Sequence, residues 1–510
     1  MVRHVLAAAL LLAIGGTSGS ATGALNSNGW TALGRDRLGS ADQLGAIEAA
    51  DRALQMDANN VRAIELRGEL VRSQFGLVAA LIWFERGLQI DPDNVSLLEE
   101  YGATLGEAGR YRDMLRVARR IISLDSRNSR AFYMQAVLAA RAGDYALAKR
   151  ILPLAGDAFN EIPGPMLLDA ICEFELGNYN RSVDKLQRLV SMQPDNLTVR
   201  TLLAQAMYRA GNALDALDII RPIAERGDAD SYSLMLAARA FEASDQRDRA
   251  GGAIDDSMQS AIRPVMAFAE QVTLTGAAAE ARRSPDDARV VVPYIRALMV
   301  TGNLDEAFAE AARLQAANMG VADAHLLVGD VEVSRGRLTE AVVAFEQARA
   351  ISFDEPVMLR LVDALSRSGD GVRAGRTLAE YLAFNPTSLA ALRIAGYRVL
   401  DAGDWKQATT ILERVRARIG YNDYILLANL ARAYSGAGRH DIAVAEAAMA
   451  YRIAPANIMV THVYGQVLLQ SGKRPKAAVE LLEKAAIMMP DNAEVAGELV
   501  RAKVVLRKSR

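Results

Sequence analysis

The side chains that most often perform enzymatic chemistry are few in this sequence of 510 residues, and they lie far apart. They comprise one cysteine, Cys172, and four histidines, which are His4, His325, His440 and His462. No two of them have the close spacing of HExxH or CxxC, which places metal ligands on one helix face or one turn. The sequence therefore predicts no metal site.

Cys172 lies within the apolar segment LLDAICEF, residues 167–174. Because it is the only cysteine, a disulfide within the chain is excluded. Its apolar neighbours favour a thiol buried in the core. The alternative is a reactive or intermolecular thiol, which would have to be accessible.

Other motifs that carry chemistry are missing or incomplete. GxSxG and Walker A do not occur, and the glycines of GDGVRAG, residues 369–375, have the wrong spacing for a dinucleotide-binding loop. DPDN at 91–94 and MMPDN at 488–492 resemble the start of a calcium loop without its later glycine and glutamate. Their Asn and Asp can instead cap the following helix. We therefore predict that the protein is not an enzyme and binds no cofactor.

The composition suits a helical protein with a large core, because 51% of the residues are hydrophobic and 24% are charged. The formal net charge is −2, so the chain has no overall positive field to attract nucleic acid. We expect no nucleic-acid partner.

A short turn recurs along the chain at a nearly constant interval of 34 residues, with steps of 33 to 35 in the second half. The turn glycines are Gly109, Gly143, Gly177 and Gly211, followed by Gly302, Gly336, Gly369, Gly403, Gly438 and Gly472. The same phase places turns that lack glycine at Ala41, Phe75 and Asp245. A period of this length accommodates two helices and the turn between them.

Small residues keep phase with this turn on both sides of it. Five residues after the turn stand Ala46, Ala80, Ala148, Ser182, Ala216, Ala250, Ala307, Ala341, Ala374, Ala408, Ala443 and Ala477. Seven residues before it stand Gly68, Gly102, Ala136, Ala170, Ala204, Ala238, Gly329, Gly396, Ala431 and Gly465. Nine residues after it the side chain is large and apolar, as in Phe84, Phe345, Leu412 and Leu481. The small residues let the two helix axes approach closely.

This pattern resembles the tetratricopeptide repeat from about residue 27 to 490. The resemblance implies an all-α fold, an α–α superhelix of about 12–13 helix–turn–helix repeats in two blocks. We expect an N-terminal block at 25–262, a C-terminal block at 289–490, and a solvated capping helix within 491–510.

The interval from Asp245 to Gly302 is 57 residues, one period plus 23. We interpret residues 263–288 as an extra helix that interrupts the array and ends before Ser284-Pro285. The alternative is a degenerate repeat that has lost a helix.

Residues 1–24 have the features of a signal peptide: a positive start at Arg3, an apolar run from Val5 to Ile14, and small residues for cleavage after Ala21 or Ala24. The apolar run is too short to span a bilayer. The alternative is a buried amino-terminal helix. No cysteine follows for a lipid anchor. We therefore expect a periplasmic protein whose mature chain has no membrane span.

In the family, residues 13, 10, 6 and 3 positions before each turn point from the first helices into the concave wall. The candidate partner-binding residues at these positions are Arg130, Tyr133, Phe174, Tyr208, Tyr232, Met235, Arg239, Arg296, Arg393, Tyr397 and Arg432. Tyr, Met and Arg are enriched at protein interfaces, and the stretch 208–239 is the strongest candidate, although every superhelix must fill its inner face. Asn is absent from these positions, so the clamp by which some family members hold a carboxy-terminal carboxylate is not expected.

The resemblance and the absence of catalytic motifs favour a protein–protein interaction scaffold in the cell envelope. Its partners would be other envelope proteins or peptides, and the resemblance implies service to polysaccharide export or pilus assembly machinery. The alternative is direct binding of an acidic exported polysaccharide along the groove, because arginines pair with carboxylates. The same arginines could instead pair with neighbouring Asp and Glu.

Overall fold

The computed structural model describes residues 25–194, 196–226, 229–259 and 273–508. All regular secondary structure in these residues is helical. The predicted signal peptide lies outside the described residues, as does the first part of the predicted insertion, 263–272.

In the described parts of the chain, thirteen helix pairs follow one another, seven before residue 260 and six after residue 287. The first helices of the pairs are α1 (Ser27–Gly39), α3 (Val61–Gln74), α5 (Val95–Glu107), α7 (Ser129–Arg141), α10 (Pro163–Glu175), α12 (Leu197–Arg209), α14 (Ser231–Ala243), α17 (Ala288–Val300), α19 (Ala322–Ser334), α21 (Glu355–Arg367), α23 (Leu389–Asp401), α25 (Tyr424–Gly436) and α27 (Ile458–Ser471). The second helices are α2 (Gln43–Met56), α4 (Leu77–Ile90), α6 (Tyr111–Leu124), α8 (Tyr145–Ile151), α11 (Tyr179–Met192), α13 (Ala213–Ala224), α15 (Arg247–Gln259), α18 (Leu304–Ala317), α20 (Leu338–Ile351), α22 (Gly371–Phe384), α24 (Trp405–Ile419), α26 (His440–Ile453) and α28 (Pro475–Met488). The predicted all-α superhelix is confirmed.

Three further helices lie outside this alternation. After α8 the chain forms a 3-10 turn at Leu152–Ala155, where Pro153 has no amide to continue an α-helix, and then the short helix α9, Asp157–Asn160. Helix α16, Leu274–Arg283, precedes α17, and helix α29, Ala493–Lys508, covers the last pair.

The turn between the two helices of a pair contains a residue with left-handed backbone. All ten predicted turn glycines have positive φ, and so do Ala41 and Asp245, at 64° and 59°. In the second pair the left-handed residue is Gly76, at 115°, and not Phe75 as predicted. This geometry ends the first helix within a single turn, and glycine adopts it without a steric penalty.

Most inter-pair loops begin the next helix with a side-chain cap; the exceptions have Ile162 and Val321 at the N-cap position. Asn94 accepts a hydrogen bond from the Leu97 amide at 3.1 Å, and Asn492 accepts one from the Val495 amide at 3.1 Å. The strings that resemble calcium loops therefore serve as helix N-caps, as predicted.

The small residues in phase with the turn let the two helices of a pair touch. Ala46, Ala80, Ala341 and Ala408 are fully buried. A Cβ atom added at Gly329 would lie 2.2 Å from the ring of Phe345, which is itself buried. In the last pair the pattern is displaced by one residue from the prediction.

Ala478 and Leu482 are the buried residues of that last pair, whereas Ala477 and Leu481, which we expected there, are half-buried. The cause is a longer turn, in which Arg474 as well as Gly472 has positive φ. The additional residue delays the start of α28 by one position.

Helix α16 ends at Arg283, one 34-residue period before α18 ends at Ala317. It therefore has the phase of a second helix, which favours a shortened repeat over an unrelated insertion. The residues that would form its first helix lie within 260–272, outside the described residues, so the two-block division stays a prediction.

The capping helix α29 is present, but one of the polar residues that we expected to be solvated faces inward. Glu498 is buried, with 3% exposed, and accepts hydrogen bonds from His462 Nε2 and Gln466 Nε2, both at 2.7 Å. These bonds connect α29 to α27.

Successive turns of the superhelix touch, because the ends of helices in the first pairs contact loops about eight repeats further along. The Phe353 amide donates to the Ser73 carbonyl at 2.9 Å, and Thr387 Oγ1 donates to the Glu107 carbonyl at 2.7 Å. Phe384 packs against the apolar cluster of α3, α4 and α5. We call this set of contacts the seam. Nothing in the repeat pattern predicted it.

Candidate functional site

The inner wall of the superhelix is formed by the first helices. Successive first helices pack against each other, most closely α1 on α3 and α25 on α27, whereas successive second helices lie further apart. This asymmetry curves the array with the first helices on the concave side, as the family resemblance implied. The candidate residues all lie on first helices.

Most candidate arginines on this wall are already paired with carboxylates. Arg130 Nη1 is 2.6 Å from Glu100 and 3.3 Å from Glu99. Arg393 forms an ion pair with Asp423. Because a neighbouring carboxylate already offsets the charge of each guanidinium group, these residues are weaker anchors for an added anion than an unpaired arginine.

Arg432 and Arg296 also face acidic neighbours. Arg432 Nη2 is 3.7 Å from Asp401, and its Nη1 donates to Asn429 at 3.2 Å. Arg296 lies close enough to Asp330 to favour its charged form, although burial has the larger effect and raises the pKa of that carboxyl. The hypothesis that the arginines pair with neighbouring acids accounts for these positions.

Several candidate aromatic residues are held in place by packing. Tyr133 lies edge-on to Phe159, and Phe174 lies edge-on to Tyr179, with ring centroids 5.8 Å and 5.4 Å apart. Tyr208 packs between two clusters of the central core.

Tyr397 shows the same combination of wall position and packing. It is half-buried, and burial raises its pKa to about 12, so its hydroxyl stays protonated at neutral pH. Together these rings stiffen the wall and expose only part of their surface to the groove.

The central first helix α14 differs from the rest of the wall. Tyr232 exposes 52% of its surface, Met235 is half-buried, and Arg239 is exposed. No ion pair connects Arg239 to another described residue. The structure therefore leaves an aromatic ring, a thioether and a guanidinium available along one face of one helix.

The sequence interpretation missed one residue of this central region. Arg209, at the end of α12, is exposed and lies close enough to the Tyr232 hydroxyl to act on it electrostatically, as Arg239 does. It stands two residues before its turn, a position that the inward pattern did not include. The pairing of Asp401 with Arg432 shows that this position also reaches the groove.

The described residues contain no group of three or more potential metal-binding side chains. None of their helices is long and apolar enough to cross a membrane. Cys172 is fully buried, as expected, and burial raises the pKa of its thiol to about 11.

The helix pairs repeat every 34 residues, their turns are left-handed, and their first helices form a concave wall. These features define an α-helical repeat protein with an extended concave surface of the kind that binds other molecules. Models of the tetratricopeptide repeat match residues 173–240 and 295–355. The chain is a tetratricopeptide repeat protein. Proteins with this fold generally act as scaffolds that bind other proteins or peptides.

Three solved structures illustrate the similarity. A tetratricopeptide repeat protein from Parabacteroides merdae is 18% identical, with 46% of this chain and 93% of that chain covered, at a TM-score of 0.34. The APC/C hetero-tetramer Cut9–Hcn1 is 14% identical, with coverages of 94% and 96% and a TM-score of 0.36. PilW, a type IV pilus biogenesis factor, is 20% identical, with coverages of 39% and 91% and a TM-score of 0.35. No curated protein matches the sequence. At these values the matches carry no functional argument.

Proposed function

We propose that this chain is an exported scaffold of the bacterial cell envelope, which binds other envelope proteins or peptides through its concave wall. The observation that carries the proposal is the central face of α14, where Tyr232, Met235 and Arg239 are accessible, whereas most of the other candidate residues of the wall are packed or paired. Exposed Tyr, Met and Arg together are typical of protein interfaces.

The cellular location is part of the same proposal and depends on the amino-terminal sequence. A short positive start, an apolar run and small residues at 1–24 suit a cleaved signal peptide. Service to a pilus assembly or polysaccharide export machine is the most specific form of the proposal, and it comes from the family resemblance.

Direct binding of an acidic polysaccharide along the groove has less support. Such a polymer presents carboxylates in a row and needs a row of available guanidinium groups. Arg130, Arg393 and Arg432 are instead paired with Glu100, Asp423 and Asp401. The scaffold is the better-supported function.

The proposal is tested by capture of partners from envelope extracts with three forms of the full chain. The first is the native sequence, and the second is Tyr232→Ala with Met235→Ala. The third is Ile82→Ala, a control on the outer helix α4, where Ile82 is 64% exposed. We expect one defined protein set with the first and third forms, and its loss with the second.

Equal recovery with all three forms would show that the central wall is not the binding surface. Location is tested separately by cell fractionation, with amino-terminal sequencing of the purified protein. An intact leader on cytoplasmic protein would overturn the envelope assignment.

A further inference from the structure

Two repeat positions face each other across successive first helices of the inner wall. One lies two residues before a turn, and the other lies six residues before the next turn. In the C-terminal part of the array, Asp401 and Arg432 occupy these positions, and their carboxylate and guanidinium are 3.7 Å apart. At this position of the wall, the two opposite charges therefore form an ion pair with each other.

In the central part of the array, the same two positions are occupied by two arginines, Arg209 on α12 and Arg239 on α14. Both are exposed, and neither forms an ion pair with a carboxylate of the described residues. Glu242, one helical turn beyond Arg239, is exposed and forms none with it. Two positive charges at facing positions repel each other, so this arrangement does not serve folding.

Tyr232 lies near both guanidinium groups. Its hydroxyl lies within the electrostatic reach of both, and half of the residue is open to the groove. Met235, one helical turn further along α14, adds a half-buried thioether. Two donors of paired hydrogen bonds therefore flank an aromatic and thioether surface.

We propose that Arg209, Arg239 and Tyr232 form a docking site for an acidic peptide segment of a partner protein, a proposal that rests on the scaffold function above. The carboxylates of the peptide would take the place of the missing Asp401-type partner, and its apolar side chains would cover Tyr232 and Met235.

A peptide suits this site better than an acidic glycan for two reasons. Among the candidate arginines, Arg130, Arg393 and Arg432 are paired with carboxylates, so the wall does not offer a continuous row of open guanidinium groups to a polymer. Tyr232 and Met235 form an apolar surface that apolar amino-acid side chains can cover. A polyuronate chain has no such side chains.

The test uses fluorescence anisotropy with a short labelled peptide of alternating aspartates and leucines, whose two ends are blocked. Its asparagine counterpart and an oligogalacturonate are the comparison probes. The variants are Arg239→Gln, Arg209→Asp and a control, Arg181→Gln, which removes the same charge from the outer helix α11, where Arg181 is exposed.

Arg209→Asp is the most informative variant, because it installs the carboxylate that the Asp401–Arg432 junction contains. We expect it to raise thermal stability and to abolish binding of the acidic peptide, so that loss of binding cannot be attributed to unfolding. Arg239→Gln should weaken binding about tenfold or more, and Arg181→Gln should leave it within about twofold. Binding should also weaken as salt is added.

Four results would overturn the proposal. The native chain could fail to prefer the aspartate peptide over its asparagine counterpart, or Arg239→Gln could bind as well as the native chain. The oligogalacturonate could bind more tightly than the peptide and in an Arg239-dependent way, which would assign the site to a glycan. If Arg209→Asp still captures the same envelope proteins as the native chain, the docking site is wrong while the scaffold function stands.

Discussion

The contact between Gly329 and Phe345 permits a quantitative prediction about how the two helices of a repeat determine each other's side chains. A Cβ atom at position 329 would lie 2.2 Å from one ring atom of Phe345 and 2.5 Å from another. We therefore consider Gly329→Ala, Phe345→Leu and the double variant. Other pairs already combine alanine with an aliphatic residue at these positions, such as Ala170 with Leu186, Ala136 with Leu152 and Ala204 with Ile220.

The expected magnitudes follow from packing and helix propensity. Gly329→Ala forces a buried ring to move, which costs about 1–3 kcal/mol, while replacing a helical glycine returns up to about 1 kcal/mol. The net loss in the free energy of unfolding is about 1–2 kcal/mol. Phe345→Leu leaves part of the ring's space empty and costs about 1–2 kcal/mol. In the double variant the alanine methyl group occupies space that the ring has vacated.

The double variant should therefore be close to the native chain in stability, with a coupling energy of at least about 1 kcal/mol. Urea unfolding followed by circular dichroism measures the total effect. Hydrogen exchange of amides in α19 and α20 measures it locally, because repeats unfold in segments. Gly252→Ala is the control: a Cβ there meets nothing within 4 Å, so the substitution should stabilise by up to about 1 kcal/mol. Additive losses in the double variant would refute the reasoning.

Three further outcomes are expected. At the seam, Phe384→Ala should cost about 1–2 kcal/mol and speed hydrogen exchange of the Phe353 amide; unchanged exchange would mean that the seam does not hold in solution. At the carboxyl end, burial disfavours the charged form of Glu498, but hydrogen bonds from His462 and Gln466 outweigh this effect and lower the pKa of Glu498. The charged carboxylate therefore stabilises the fold at neutral pH, and this stabilisation is lost as the pH falls through the acid range. Glu498→Gln should remove that pH dependence from the exchange rates of α29, and an identical acid profile would contradict it. Burial raises the pKa of Cys172 to about 11, so the native thiol should not react with a disulfide reagent at neutral pH until the chain unfolds, and rapid native labelling would show access.

Most of the recurring turns could be predicted from the sequence because they depend on local chemistry. A left-handed backbone residue is required to end each first helix, glycine adopts that conformation most easily, and it therefore recurs every 34 residues. The burial of Ala46, Ala80 and Cys172 followed from the same phase and from apolar neighbours. Errors arose where a turn changed length, at Gly76 and at Arg474.

Family geometry predicted the inward-facing residues, but the sequence left open whether their arginines were available to a ligand or paired with neighbouring acids. Sequence spacing placed Arg130, Arg393 and Arg432 on the wall, and only the folded chain brought acidic residues from neighbouring helices to each of them. For the same reason the sequence did not indicate Arg209, which matters because it faces Arg239 on the next first helix.

What the sequence by itself determined is the fold class, the repeat period and the absence of catalytic motifs, because each depends on residues within one or two helices of each other. Tertiary structure decided the seam, the burial of Glu498 and the open charges at Arg209 and Arg239. These features join residues that are about 30 to 280 positions apart. Their contacts depend on the total rotation of the superhelix. Each repeat adds a small rotation to that total, and no single repeat encodes it.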